Sequence, residues 1–462
     1  MKLKFCAIAA PLFFELGIGM AVGMLGTSFA AHISDAAGGA FALTNHLFGL
    51  LFMVFRLVGA GIGVVVSQNL GAQHRDEADR VARAALAAGT WMGGSMAVVA
   101  LLFARPLLQG LNAPADVLEL ATPLLQALSL ALLLDAWNAC MASVMRAHLR
   151  TRETMWVMGV MHAVHVGLAW PLMHGLPPSL GLAGLTDFMN GSGYGLPGFA
   201  LALVISRLVG LYLHWYLWRK RLNIVPVWAD FWRVRMTQMK HILHIGLPGA
   251  AENLSWELAF MVSVAAVGVL GTQALATQAY VLQFNMWILI SGAAIGMAVE
   301  TVVGHLVGAR HLREAHVLVK RAQTIGFAVT TVVAVMMAWQ GSSLLGWFTS
   351  DPLILEEGRR LFWWSILLET GRTFNLIVIS ALRATGDSRY PFYAGAGSMA
   401  VVLAGGSWLL GVHWGWGLTG VWIAYAADEW IRGLMMWHRW VSRGWIPHAR
   451  ATHARMRHQA LN

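Results

Sequence analysis

Apolar runs of about 20 residues or more follow one another along the whole chain. They fall at 5–31, 40–66, 81–104, 117–146, 153–174, 195–218, 242–270, 274–306, 316–341, 360–382, 391–411 and 415–438, separated by short polar stretches. A helix that crosses a bilayer needs about 20 consecutive apolar residues, so the pattern predicts an all-α integral membrane protein with twelve transmembrane helices. None of the runs shows the period-2 alternation of a membrane barrel strand. The first run follows Lys2 and Lys4 as a secretion signal would, but it exceeds 20 residues, carries Glu15 and has a counterpart deeper in the chain, so it is expected to remain as a helix.

Composition sharpens this. Of the 462 residues 58% are hydrophobic and only 12% charged, too little charge to coat water-soluble domains of that size. A soluble enzyme is excluded. The net charge of +10 sits in short patches between apolar runs and forms no continuous basic face, so no nucleic-acid partner is expected. Counted by side, 25 Lys and Arg fall in the N-terminus, every second connection and the tail. Only three, Arg105, Arg359 and Arg360, fall on the other side, and Arg56, Arg207, Arg372 and Arg432 lie in or near spans. By the positive-inside rule both termini are expected to be cytoplasmic, which requires an even number of spans. Cys6 and Cys140 lie in apolar runs and are expected to be core residues.

An internal repeat divides the chain. Pro11-x-x-x-Glu15 recurs as Pro248-x-x-x-Glu252, and Gly71-Ala-x-His74-x-x-Glu77-Ala78 as Gly308-Ala-x-His311-x-x-Glu314-Ala315. Asn138 to Arg152 recurs as Asn375 to Arg389, with Ser143/Ser380 and Arg146-Ala147/Arg383-Ala384 between, always 237 positions on. Two six-helix bundles follow, 1–218 and 241–442, with a basic linker at 219–240 and a basic tail at 443–462. Because six is even, the bundles are parallel repeats, an architecture used by transporters.

Carboxylates inside spans cost on the order of 3 kcal/mol even on insertion scales, so each asks for a reason. Glu15, Glu252, Glu257, Glu300 and Glu369 are candidates for a cation- or proton-coupling site, against the alternative of structural ion pairs. Glu369 with Arg372, and Glu429 with Arg432, are three apart and able to neutralise one another. Asp135 and Arg372 are equivalent across the repeat, which favours a charge pair within each half for both. Asn45 and Gln278, also equivalent, either coordinate a ligand or bond between helices. His162-x-x-His165 and His241-x-x-His244 place imidazoles on one helix face, where packing is the simpler reading than metal or proton relay. The Gly-Ala-x-His segments read as tight turns made possible by glycine, and neither contains the Gly-Lys-Ser/Thr of a phosphate loop. No catalytic motif emerges, and no cofactor is expected beyond H⁺ or Na⁺ as coupling ion.

The two prolines, Gly71-Ala-Gln-His-Arg-Asp-Glu-Ala78, Val303-Gly-His-Leu-Val-Gly-Ala309, Leu382-Arg-Ala-Thr-Gly-Asp387 and Gly417-Leu-Thr-Gly-Val-Trp422 together resemble the multidrug and toxic compound extrusion (MATE) transporters, from about residue 8 to 445. The resemblance implies two bundles around a central cleft and export of amphiphilic, often cationic, compounds in exchange for H⁺ or Na⁺. The implied setting is the bacterial inner membrane, with lipids and small molecules as partners of a monomer. The cleft would be lined by the first, second, seventh and eighth helices, with Phe284, Met286 and Trp287 available for apolar and cation–π contact. One departure matters: the acid that many bacterial relatives carry fifteen residues after the first proline is Gly26 here, which moves coupling toward the second bundle, with Glu252 as its first candidate. A lipid-linked saccharide flippase is the alternative within transport. An integral membrane transferase would show a catalytic cluster outside the membrane, whereas the longest external connection, 175–194, holds one acid, Asp187.

Overall fold

The computed structural model describes residues 5–111, 113–175 and 193–461, with side chains for all of these except 54–58 and 457–461. Lys2, Lys4, Asp187 and Gly191, and the side chains of Arg56 and Arg457, lie outside the described residues. The described residues contain no strand. Thirteen longer helices follow in order: α1 Phe5–Ala31, α2 Asp35–Gly71, α3 Arg75–Leu102, α4 Ala115–Ala147, α5 Thr151–His174, α6 Leu196–Leu222, α7 Met236–Val269, α8 Thr272–Gly308, α9 Leu312–Trp339, α10 Pro352–Thr385, α11 Arg389–His413, α12 Gly417–Val441 and α13 Ile446–Leu461. Short helices at Ala104–Gly110, Trp228–Trp232 and Gly341–Leu345 join some of them.

Each of the twelve apolar runs falls on one of α1 to α12, to within two residues at its ends, yet among the described residues ten helices, not twelve, are long and apolar enough to cross a membrane on hydropathy alone. The two others, α7 and α12, are 34 and 25 residues long. Glu252 and Glu257 dilute the first, and Asp428, Glu429 and Arg432 the second. Several helices also begin before their apolar run. α10 starts at Pro352 because Asp351 caps it, its side chain accepting from the Leu353 N–H at 2.9 Å, with proline at the first helical position where no donor is needed.

The chain packs as two compact units, Phe14–Val66 with Ala78–Leu243, and Met1–Phe13 with Ser67–Glu77 and His244–Asn462. In the first, the N-terminal unit, small and branched side chains of α2, α4 and α6 make the core, among them Ala40, Phe41, Leu124, Leu128, Phe199 and Leu203. In the C-terminal unit the core is built chiefly from α8, α10 and α12, including Val281, Leu368, Trp422 and Tyr425, with a further cluster around Val303, Ile377, Trp440 and Trp445. Cys140 is buried as expected, but Cys6, in the first turn of α1, is exposed.

The repeat reaches the backbone. Gln73 and Arg310, equivalent across it, both take left-handed conformations, with φ 64° and 63°, and Leu149 with φ 61° matches Gly386 with φ 92°. The left-handed residue in the two Gly-Ala-x-His turns is therefore the variable one. Gly71 and Gly308 serve a different purpose: a Cβ on Gly71 would run into the backbone of His305, and one on Gly308 into the carbonyl of Gln68. Glycine there lets the ends of α2 and α8 touch backbone to backbone, which corrects the expectation that it releases the chain from the helix.

Candidate functional site

The candidate acids do not stand free in their helices. In the N-terminal unit Glu15 of α1 is buried and accepts from Arg146 Nη1 of α4 at 2.8 Å and from the Thr154 hydroxyl at 3.2 Å. In the C-terminal unit Glu252 of α7 accepts from Arg383 Nη2 of α10 at 2.7 Å. These are the same contact made twice, since both partners are related by the repeat. Glu252 has no basic residue within one turn of its own helix, and its partner comes from another; Arg383 also feels the charge of Glu300. Glu300 is half-buried. Glu257, half-buried one turn and a half along α7, has no hydrogen-bond or ion-pair partner among the described residues.

A larger network joins α10 and α12. Glu369, fully buried, pairs with Arg372 at 2.8 Å, and Arg372 also meets Glu429 at 3.3 Å. Arg432 contacts Asp428 at 2.8 Å and Glu429 at 2.9 Å. Asn375 donates to Glu429 at 3.0 Å and Ser398 to Asp428 at 2.7 Å. Three carboxylates thus share two guanidinium groups. One negative charge is left over in a low-dielectric interior, where an unpaired ion is costly and a proton or metal cation relieves it. Glu369 Oε2 has no hydrogen-bond partner, so it is the oxygen free to take that proton. The sequence paired Glu369 with Arg372 and Glu429 with Arg432, and the structure joins the two pairs through Arg372 and Glu429 and adds Asp428. The Glu-x-x-Arg spacing on both α10 and α12 carried the two pairs; the link between the helices had no local signal.

The equivalent place in the N-terminal unit has its charges reversed. Asp135 of α4 stands where α10 has Arg372, and it pairs with Arg207 of α6 at 2.5 Å. Asn138, the equivalent of Asn375, bonds to the Arg207 carbonyl at 2.9 Å and to His214 at 2.9 Å. Arg207, placed in or near a span by the sequence, is thus ion-paired. It forms part of the wall of a cavity of 160 Å³ lined also by Gly19, Asn45, His162, His165, Phe41 and Phe199. His162 and His165 are 7% and 3% exposed, yet neither ring nitrogen of either side chain has a hydrogen-bond partner. Leaving such groups unsatisfied costs about 1–3 kcal/mol each, so simple packing does not account for them. Gly26 lies beside this cavity, against the edge-to-face pair Phe41–Phe199, whose ring centroids are 4.7 Å apart. A Cβ there would come within 2.9 Å of Phe41 Cζ and 3.1 Å of Phe199. Two aromatic rings fill the space that a carboxylate at position 26 would need.

The remaining expected residues are scattered. Gln278 is buried and donates to the Tyr425 hydroxyl at 2.9 Å, which is also bonded to Ser263 at 2.9 Å. Phe284 is buried among Phe348, Phe362 and Trp347 at 5.5–6.4 Å. Met286 is exposed and Trp287 half-buried. Asn45 lines the cavity of the N-terminal unit.

The MatE family model matches the chain twice, over residues 11–170 and 248–409. The two matches begin at Pro11 and Pro248, the anchors of the internal repeat. The "Uncharacterized transporter YisQ" of Bacillus subtilis is 28% identical over 94% of this chain and 93% of its own. The "Probable multidrug resistance protein NorM" of Bradyrhizobium diazoefficiens is 25% identical over 89% and 87%. Among solved structures, a MATE transporter of the MOP superfamily in an outward-facing conformation superposes with a TM-score of 0.84 over 97% of this chain and 96% of its own, at 17% identity. A Pyrococcus furiosus MOP transporter, described as having a binding pocket of reverse polarity, also gives 0.84, over 95% of each chain at 17% identity. The fold is shared with both. With two family matches covering most of its length, the chain belongs to the MatE family, whose members are membrane transporters and not enzymes.

Proposed function

We propose that the protein is a secondary-active exporter of amphiphilic, cation-bearing drugs or toxic metabolites. It is driven by inward movement of H⁺ or Na⁺ across a bacterial inner membrane, with both termini cytoplasmic. Relatives named for multidrug resistance support the cargo class, and the distribution of basic residues supports the orientation. The observation that carries the coupling is the odd carboxylate of the α10–α12 network, three acids on two bases with Glu369 Oε2 unengaged. Glu257 and Glu300 add negative charge in the same unit, whereas the ion pairs Glu15–Arg146 and Asp135–Arg207 balance in the other. The neutralisation of Arg207 by Asp135 also weakens the flippase alternative, which needs unpaired bases for a pyrophosphate. Proteoliposomes given a pH gradient alone and then a Na⁺ gradient alone test the reading. One of the two should drive accumulation of a lipophilic cationic dye, and accumulation under neither would overturn it.

A further inference from the structure

The cavity of the N-terminal unit has the wrong chemistry for a cation. Its lining residues include no carboxylate. Its polar contributors are Asn45, two imidazoles and the Arg207 guanidinium, each of the last three at least nine-tenths buried. Arg207 turns one side to Asp135 and leaves Nη1 without a hydrogen-bond partner, and both rings are in range of the Arg207 charge. Up to four N–H groups of these three side chains around one space thus have no hydrogen-bond acceptor. The rest of the wall is aromatic and aliphatic, Phe41 and Phe199 foremost. A dry apolar cavity of about 150 Å³ accommodates benzene, and this one measures 160 Å³. Few polar groups in an apolar pocket is the usual build of a small-molecule site.

We propose that this cavity binds a small aromatic carboxylate, its ring against the Phe41–Phe199 pair and its oxygens accepting from His162, His165 and Arg207 Nη1. It is a second ligand class, distinct from the cationic cargo proposed above, and it rests on that reading only for what happens after binding. The two imidazole N–H groups and the guanidinium supply charge-assisted donors, while the neutral Asp135–Arg207 pair keeps the site from holding an excess positive charge when empty.

Benzoate, its neutral isostere benzamide, and chloride are the probes, titrated calorimetrically into the full-length protein in detergent without any ion gradient. The proposal predicts that benzoate binds at least tenfold more tightly than benzamide and is not displaced by an equal concentration of chloride. His162→Leu with His165→Leu should erase the preference for benzoate. Because that change also alters buried packing, the charge-neutral pair Asp135→Asn with Arg207→Gln serves as a second variant, expected to weaken benzoate at least tenfold more than it weakens benzamide. Equal binding of benzoate and benzamide, benzoate binding unmoved by both variants, or displacement by equimolar chloride would each overturn it. Dye export can fail while benzoate binds, and the reverse, so the two readings fall separately.

Discussion

Glu252 and Glu369 are both buried acids of the C-terminal unit, and their surroundings assign them different work. Glu252 has a full partner in Arg383, repeated as Glu15 and Arg146. Removing one member of a buried pair costs about 3–5 kcal/mol because it strands the other charge, while replacing both is often near neutral. Glu252→Gln should therefore lower thermal stability, and Glu252→Gln with Arg383→Met should restore much of it; a Glu252→Gln protein of unchanged stability that no longer couples would move the site to α7. Gly26 makes a separate point. Gly26→Ala is expected to destabilise by about 1–3 kcal/mol through overpacking against Phe41 and Phe199, and Phe41→Leu should recover part of the loss, as read by thermal unfolding. Of the site, the acids themselves were legible in sequence. So were Arg372 and Arg432, three residues from Glu369 and Glu429 on the same helices, but Arg146 and Arg383 were not, because they approach Glu15 and Glu252 from another helix. The repeat held the missing clue: both acids and both bases recur at the same offset.

At the level of the helices, the apolar runs located α1 to α12, ten of them long and apolar enough to span on hydropathy alone, since burial in lipid demands continuous apolar length. Their ends were less legible, because a helix continues past the hydrocarbon for as long as its backbone stays bonded, as α10 does from its cap at Asp351. The turns show where local sequence misleads. Glycine at 71 and 308 marks close helix contact, while the left-handed residues are Gln73 and Arg310. At the other repeated turn the left-handed position is Leu149 in one half and Gly386 in the other. Leu149→Gly should be tolerated to within about 1 kcal/mol, the relief of a left-handed side chain offsetting the added chain entropy. Gly386→Leu should cost more, since its Cβ would also come within 2.6 Å of Thr452 Oγ1. Comparable stability of the two variants would show that strain at this turn is unimportant.

For the whole molecule, topology and coupling are the claims at stake. With 25 basic residues on one side and three on the other, a tag after Asn462 should be cytoplasmic and one inserted at Gly191 external; the same side for both would break the even-span arrangement. The two units share a sequence repeat and a backbone pattern, yet the acid–base pair between their fourth and sixth helices is reversed in sign, Asp135–Arg207 in one and Arg372–Glu429 in the other. That reversal leaves the surplus acid in the C-terminal unit and an anion-seeking cavity in the N-terminal one. An inward elementary charge supplies about 2.3 kcal/mol per 100 mV, enough to hold roughly a 50-fold gradient of a neutral solute. Gradient-driven dye transport by Glu369→Gln in proteoliposomes is the most direct test. The amide keeps the shape of the side chain and removes its titration, so transport should fall at least tenfold while the protein stays folded and still binds the dye. A Glu369→Gln protein that couples as well as the wild type would contradict the account.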